Sequence, residues 1–209
     1  STISGEGKTF CAINLAAAIA ILNKKVVLVG LDMRKPKIHK TFKINNQKGL
    51  STYLIGQNSA DEIIQKTSNK NLFIVTSGPV PPNPAELIET DRMSGFIDKI
   101  KNEYDFVIID TPPIALVTDA LLISKFSDAN IFVVRQEYSN KNIVGILNEL
   151  ENNKQINNLS ILINDVKIGR GYGNRYAYKY GYKFGYGYGY YQNDDKKGLW
   201  NKLKHRIRK

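Results

Sequence analysis

Five short and almost wholly apolar segments constrain the fold of this chain more than any other feature. They span residues 25–31, 72–75, 106–109, 129–134 and 160–163. Strands that are apolar on both faces are typical of parallel sheets buried between two layers of helices. Helical patterns at 10–22, 84–101, near Ala120 and at 142–152 separate them, while 39–71 is less regular and predicts short helices. The alternation therefore predicts an α/β fold with a mostly parallel sheet and helices on both faces.

A phosphate-binding loop precedes the first helical pattern, with the sequence SGEGKT from Ser4 to Thr9. Glycines permit the backbone torsions that turn successive N–H groups toward an anion, and the helix that follows adds its positive end. The pattern predicts that Lys8 reaches the β- and γ-phosphates of ATP and that the Thr9 hydroxyl ligates Mg²⁺. The predicted ATP-binding residues are Ser4, Gly5, Glu6, Gly7, Lys8, Thr9 and Phe10. Such a loop normally follows a buried strand, so we expect the first strand of the fold to be missing from this sequence.

Two acidic residues follow predicted strands where a nucleotide-bound metal would lie. Asp110 ends the strand in YDFVIIDTPP, and Asp32 follows the 25–31 segment, two residues before Arg34. We predict Thr9, Asp32 and Asp110 as metal ligands and Lys8, Asp32 and Asp110 as catalytic residues. Asp110 as a helix cap, and Asp32 in a surface ion pair, are the alternatives. Arg135 and Asn164 end later strands on the same side, where they either flank the base or cap the strand ends.

The C-terminal part of the chain has a different composition from the rest. Nine of the twelve tyrosines lie between 172 and 191, among Gly, Lys and Arg. This composition does not form a core, so we predict a domain at 1–166 and a flexible, basic tail at 167–209. The tail carries twelve Lys and Arg against two acids, whereas the domain carries eighteen against seventeen. Because the domain is nearly neutral, we expect no nucleic-acid partner, although a stacking platform for single-stranded RNA is an alternative for the tail.

The tail hydroxyls are the predicted phosphoryl acceptors, because an ATP site lies on the same chain. The acceptors are Tyr172, Tyr176, Tyr178, Tyr180, Tyr182, Tyr186, Tyr188, Tyr190 and Tyr191. Each phosphotyrosine adds about −1.5 to −2 charges, so complete modification would reverse the sign of the basic tail. We expect this reversal to release the tail from acidic partners and to disassemble an oligomer.

The order of the motifs resembles that of the bacterial tyrosine kinases. GEGKT is followed by VLVGLDMRKP, by SGPVPPNPAELIETDRM, by VIIDTPP with Asp119 and Ala120 beyond it, and by the tyrosine-rich tail. The resemblance implies a P-loop NTPase fold, use of ATP and Mg²⁺, and tyrosine autophosphorylation between subunits of a ring-shaped homo-oligomer. It also implies control of capsule or exopolysaccharide export at the cytoplasmic face of the inner membrane, a membrane-anchored activator in cis or in trans, and an opposing tyrosine phosphatase.

One position departs from the pattern of that family. Lys8, Thr9 and Asp110 match its two nucleotide motifs, and Asp32 matches the second acid of its Asp-x-Asp-x-Arg motif, but the first acid aligns with Gly30. Positioning and charge neutralisation dominate phosphoryl transfer, so we expect reduced or unchanged activity. Two alternatives remain from the sequence. One is an ATPase switch related to the partition and septum-placement ATPases, and the other is a weakly catalytic scaffold.

Overall fold

The computed structural model describes residues 1–114, 119–140, 142–153 and 156–167. The predicted acceptor tyrosines and the rest of the predicted tail lie outside the described residues. The eight helices found among the described residues are α1 Lys8–Ile21, α2 Ile38–Phe42, α3 Leu50–Leu54, α4 Ala60–Ile63, α5 Pro84–Ile88, α6 Asp91–Glu103, α7 Asp119–Ser124 and α8 Ile143–Asn152. The six strands found there are β1 Val26–Gly30, β2 Ile64–Lys66, β3 Leu72–Val75, β4 Phe106–Asp110, β5 Asn130–Arg135 and β6 Leu159–Asn164.

The strands form two groups. Four of them make a sheet in the order β2-β3-β1-β4, and β5 pairs with β6. Every pairing is parallel except that of β2 with β3, so the prediction of a mostly parallel α/β fold is confirmed. β1 is buried along its whole length because helices cover both faces of the four-stranded sheet.

The two faces of β1 contribute to separate apolar clusters, as the alternation of side chains along a strand requires. Val27 and Val29 face α6, whose apolar stripe is fully buried there. Val26 and Leu28 face the small residues of α1 on the opposite side. This three-layer arrangement holds the N-terminus of α1 at the carboxyl ends of β1 and β4, where the acidic side chains lie.

The structure corrects two details of the predicted elements. The helix predicted at 84–101 is two helices, because α5 ends at Ile88 and Thr90 caps the start of α6. The Thr90 hydroxyl donates to the Leu87 carbonyl at 2.8 Å and accepts from the Met93 amide at 3.4 Å. The region 39–71 contains three short helices and also the antiparallel strand β2, which the sequence analysis missed. A strand of three residues is too short to show the alternation that predicts strands.

A cavity of about 760 Å³ lies between β4 and β5, lined by apolar side chains of α1, β4 and β5 that include Leu15, Ile108 and Phe132. Among the described strands, β4 pairs only with β1 and β5 only with β6. The Ser1 carbonyl accepts a hydrogen bond of 2.9 Å from the Ile114 amide, just beyond the end of β4. In the part of the chain that the structure describes, no helix combines the length and apolar character needed to cross a membrane.

Candidate functional site

The phosphate loop is held at the start of α1 by two glycines in left-handed conformations. Gly5 and Gly7 have φ values of 92° and 96°, which side chains rarely adopt. Gly7 is the N-cap residue of α1, and its carbonyl accepts the Cys11 amide at 2.9 Å. The unpaired N–H groups of the first helical turn, and the positive end of the helix dipole, therefore lie at Lys8 and Thr9. This is the local geometry that binds phosphate groups.

A pocket of about 510 Å³ opens over the loop, and its lining suits a polyanion. Four cationic side chains line it against one carboxylate: Lys8, Arg34, Lys35, Lys37 and Asp32. Of the predicted ATP-binding residues, Ser4, Gly5, Gly7, Lys8, Thr9 and Phe10 contribute to the lining, whereas Glu6 does not. The excess of positive charge complements a triphosphate, whose charge would otherwise be costly to take out of water.

Thr9 and Asp110 form the oxygen pair predicted to hold Mg²⁺. The Thr9 hydroxyl donates to Asp110 Oδ2 at 2.7 Å. Asp110 is only 4% exposed, and this burial raises the pKa of its carboxyl to about 6, although the Thr9 hydrogen bond and the Lys8 charge oppose the shift. Burial also lowers the pKa of Lys8, whose Nζ donates to Ser1 Oγ at 2.7 Å. A hydroxyl and a carboxylate are ligands that Mg²⁺ prefers, so these residues fit the metal.

Asp32 and Arg34 lie in one turn after β1 but are not paired with each other through their side chains. Asp32 Oδ1 accepts hydrogen bonds from the backbone amides of Arg34 at 3.2 Å and Lys35 at 2.9 Å. The Arg34 guanidinium instead binds Asp119 through two hydrogen bonds, of 2.9 and 3.2 Å. The surface ion pair considered for Asp32 is therefore absent from this turn. Asp32 is close enough to Asp110 to contribute to the raised pKa of that carboxyl.

Glu6 faces away from the pocket, although it belongs to the loop. It is fully buried, and its carboxylate accepts hydrogen bonds from the Ser139 hydroxyl and from the Ile3 amide at 3.1 Å. Burial raises the pKa of Glu6, but these hydrogen bonds outweigh it and lower the pKa overall. Arg135 and Asn164, considered as base-flanking residues or strand caps, both hydrogen-bond the backbone of the phosphate loop.

Several residues of the site had no role in the sequence analysis. Lys35 and Lys37 line the pocket, Asp119 binds Arg34, and Tyr138 and Ser139 contact the loop. The run DMRKPK did signal a basic segment beside Asp32. No pattern in the sequence pointed to Tyr138 or Ser139, because more than 130 residues separate them from the loop.

Comparison with known proteins identifies a family model and several relatives that match most of the described residues. Residues 3–163 match a family model described as an AAA domain. The chain is 40% identical over 134 residues to tyrosine-protein kinase YwqD of Bacillus subtilis, a match that covers 64% of this chain and 56% of that protein. It is 36% identical over 160 residues to a Klebsiella pneumoniae protein named as a tyrosine-protein kinase in the cps region, covering 77% of this chain and 22% of that protein.

A solved structure shows the same fold. The kinase domain of Escherichia coli tyrosine kinase ETK superposes with a TM-score of 0.75 at 33% identity, covering 80% of this chain and 66% of that one. The chain thus spans about half of YwqD and about a fifth of the Klebsiella pneumoniae protein.

Proposed function

The chain belongs to the AAA domain family and, within it, to the bacterial tyrosine kinases, and from this premise we propose that it is a protein-tyrosine autokinase. The reaction transfers the γ-phosphoryl group of ATP to tyrosines of the 172–191 segment, in trans within a homo-oligomer. The observation that carries the proposal is the phosphate loop at the start of α1, with the Thr9 hydroxyl 2.7 Å from the Asp110 carboxylate.

Each residue of the site has a role that follows from its position. The loop amides and the Lys8 ammonium bind the β- and γ-phosphates, and Lys35 and Lys37 add positive charge along the pocket. Thr9 and Asp110 would hold Mg²⁺, which when bound neutralises charge on the phosphate oxygens. Two backbone amides fix the Asp32 carboxylate at the pocket wall, where it is the candidate to accept the tyrosine proton or to support the metal.

We also propose the wider setting of this activity. The similarity to a protein named for the cps region supports a role in capsule or exopolysaccharide synthesis and export. We place the domain at the cytoplasmic face of the inner membrane, in a ring-shaped oligomer with a membrane-anchored activator and an opposing tyrosine phosphatase. The resemblance described from the sequence motifs supports these partners.

Gly30 favours one competing function, a weakly catalytic scaffold. It lies beside Asp110 in the register of the sheet, is buried, and supplies no carboxylate at the position where related motifs carry their first acid. An ATPase switch is the other competitor, because the phosphate loop alone would serve hydrolysis equally well.

One experiment separates the three functions. Purified protein is incubated with Mg²⁺ and ATP, and phosphate release and phosphotyrosine are measured together, with Lys8→Met as the control. The autokinase gives phosphotyrosine that the control lacks. Phosphate release without phosphotyrosine would support the ATPase switch. ATP binding with neither product would support the scaffold, and Gly30→Asp would then be the first variant to assay.

A further inference from the structure

Three consecutive carbonyl groups of the phosphate loop each accept a hydrogen bond from a different side chain of the β5–β6 unit. Tyr138 Oη donates to the Ser4 carbonyl, Arg135 Nη1 to the Gly5 carbonyl, and Asn164 Nδ2 to the Glu6 carbonyl, all at 3.0 Å. Arg135 and Asn164 are the last residues of β5 and β6, and Tyr138 lies in the turn that follows β5. We refer to these three side chains as the loop clamp.

The clamp acts on the part of the loop whose orientation decides anion binding. In a peptide unit the N–H and the C=O point in opposite directions, so a loop that turns its amides toward phosphate turns its carbonyls away from it. Gly5 and Gly7 do not restrict the backbone to this orientation, because glycine adopts many torsions at little cost. Side-chain hydrogen-bond donors that bind the loop carbonyls therefore restrict the loop to this orientation, which the glycines alone do not.

The same two glycines leave the space that the clamp needs. A Cβ atom on Gly5 would lie 2.7 Å from Tyr138 Oη, and a Cβ on Gly7 would overlap the side-chain amide nitrogen of Asn164. Side chains at these positions would therefore displace the donors as well as strain the backbone. The loop and the clamp are complementary in shape, not merely adjacent.

The donors are themselves held in place. The Arg135 guanidinium binds Asp165 at 3.0 Å through Nε and stacks on the Tyr138 ring, 5.1 Å from its centroid. Ser139 links the same turn to the loop a fourth time, because its hydroxyl donates to the Glu6 carboxylate while accepting from the Arg135 amide at 2.9 Å. A guanidinium that is paired and stacked loses less freedom when it binds a carbonyl.

We propose that Tyr138, Arg135 and Asn164 are positioning residues that hold the phosphate loop in its anion-binding form before ATP arrives. This inference rests on the proposed function, since it concerns the ATP site. The three side chains would strengthen binding of the phosphates, and this effect would not depend on the nucleobase. Pre-ordering of a site in this way raises affinity by removing the cost of ordering it during binding.

The test compares ATP with inorganic tripolyphosphate, which has no base or ribose. Affinities of both for the full chain are measured by calorimetry for the wild type, Tyr138→Phe and Asn164→Ala. Loss of one carbonyl donor is expected to weaken both ligands by the same factor, about five- to tenfold. Asn152→Ala, at the exposed end of α8, is the matched control for Asn164→Ala, because it removes the same amide group without removing a donor from the loop, and we expect less than a twofold change.

Tyr138→Phe keeps the ring and removes only the hydroxyl of a side chain that is half exposed, so its melting temperature is expected to match the wild type. Weakening of ATP alone, with tripolyphosphate unaffected, would overturn the inference in favour of contacts to the base or ribose. Unchanged affinity for both ligands in both variants would overturn it as well. A wild-type chain that binds neither ligand would contradict the proposed function itself, and the inference with it.

Discussion

Replacement of Asp110 by asparagine is expected to make the protein more stable at high pH. Asp110 is buried at the end of β4, and its pKa is raised from the ordinary value of 3.8 to about 6 because burial disfavours the charged form. Asparagine has the same shape, and its carbonyl oxygen still accepts the hydrogen bond that Thr9 donates. The substitution therefore removes the charge with little change in packing.

The magnitude follows from the raised pKa of Asp110. Below the unfolded-state pKa the carboxyl is protonated in both states and costs nothing. Between that value and the folded-state pKa of about 6, the unfolded chain ionises at this carboxyl while the buried group keeps its proton, so the native state loses stability as the pH rises. Above the folded-state pKa the loss is complete. A difference of about two pKa units corresponds to about 3 kcal/mol, an order-of-magnitude figure.

Urea unfolding with metal chelated, at a series of pH values, measures this effect. The stability of Asp110→Asn relative to wild type is expected to rise by about 2 to 3 kcal/mol between pH 4 and pH 8. Exposed Asp98→Asn on α6 is the matched control, and its difference from wild type is expected to stay within about 0.5 kcal/mol. A difference for Asp110→Asn that is flat across this range, or that falls as pH rises, would show that ionisation of the buried carboxyl does not destabilise the native state. Mg²⁺ with ATP at pH 8 should stabilise the wild type and not the variant.

Three further predictions concern other parts of the chain. Arg34→Ala should destabilise the protein by about 2 to 3 kcal/mol in urea unfolding, because it leaves the buried Asp119 carboxylate unpaired while Arg34 itself is partly exposed. The double variant Arg34→Ala with Asp119→Ala should recover part of this loss. If the losses of the two single variants simply add in the double variant, the prediction is contradicted. Gly30→Asp should lower stability at pH 8 more than Gly30→Asn does, because it buries a second carboxylate beside Asp110; equal losses would show that steric contact with Ile38 and Ser77 dominates. Phosphatase treatment of phosphorylated protein should restore the oligomer in size-exclusion chromatography, because it returns the tail to its basic state, and an oligomer of the same size in both states would contradict the charge mechanism.

The parts of the fold that depend on local sequence were predictable. The five apolar segments became strands β1, β3, β4, β5 and β6, and the phosphate loop does precede α1. Helix α1 begins at Lys8, two residues before the predicted start. The prediction used the apolar helical composition that begins at Phe10, and this composition does not show that Gly7 caps an earlier first turn. The break at Thr90 was missed because the apolar pattern continues across it, and only the hydroxyl hydrogen bonds reveal two helices.

Contacts between distant parts of the chain were not predictable in the same way. The ion pair of Arg34 with Asp119 joins residues 85 positions apart. Each residue belongs to a different sequence motif, and nothing in the two motifs indicates that the side chains meet. The carbonyl donors of the loop clamp are still farther away. Tyr138 has no pattern around it, and Arg135 and Asn164 were noticed only as polar residues at strand ends. The fold decides which of these side chains reach the loop.

Intact mass of the protein isolated from its own host tests the autokinase most directly, because any activator is then present. The wild type should show a ladder of additions of about 80 Da, each one phosphoryl group, that maps by peptide sequencing to the tyrosines of 172–191. The Lys8→Met protein, expressed at the same level in place of the wild type, should show a single unmodified mass. A ladder on the Lys8→Met protein equal to that of the wild type would mean that another kinase modifies the tail, and it would contradict the account.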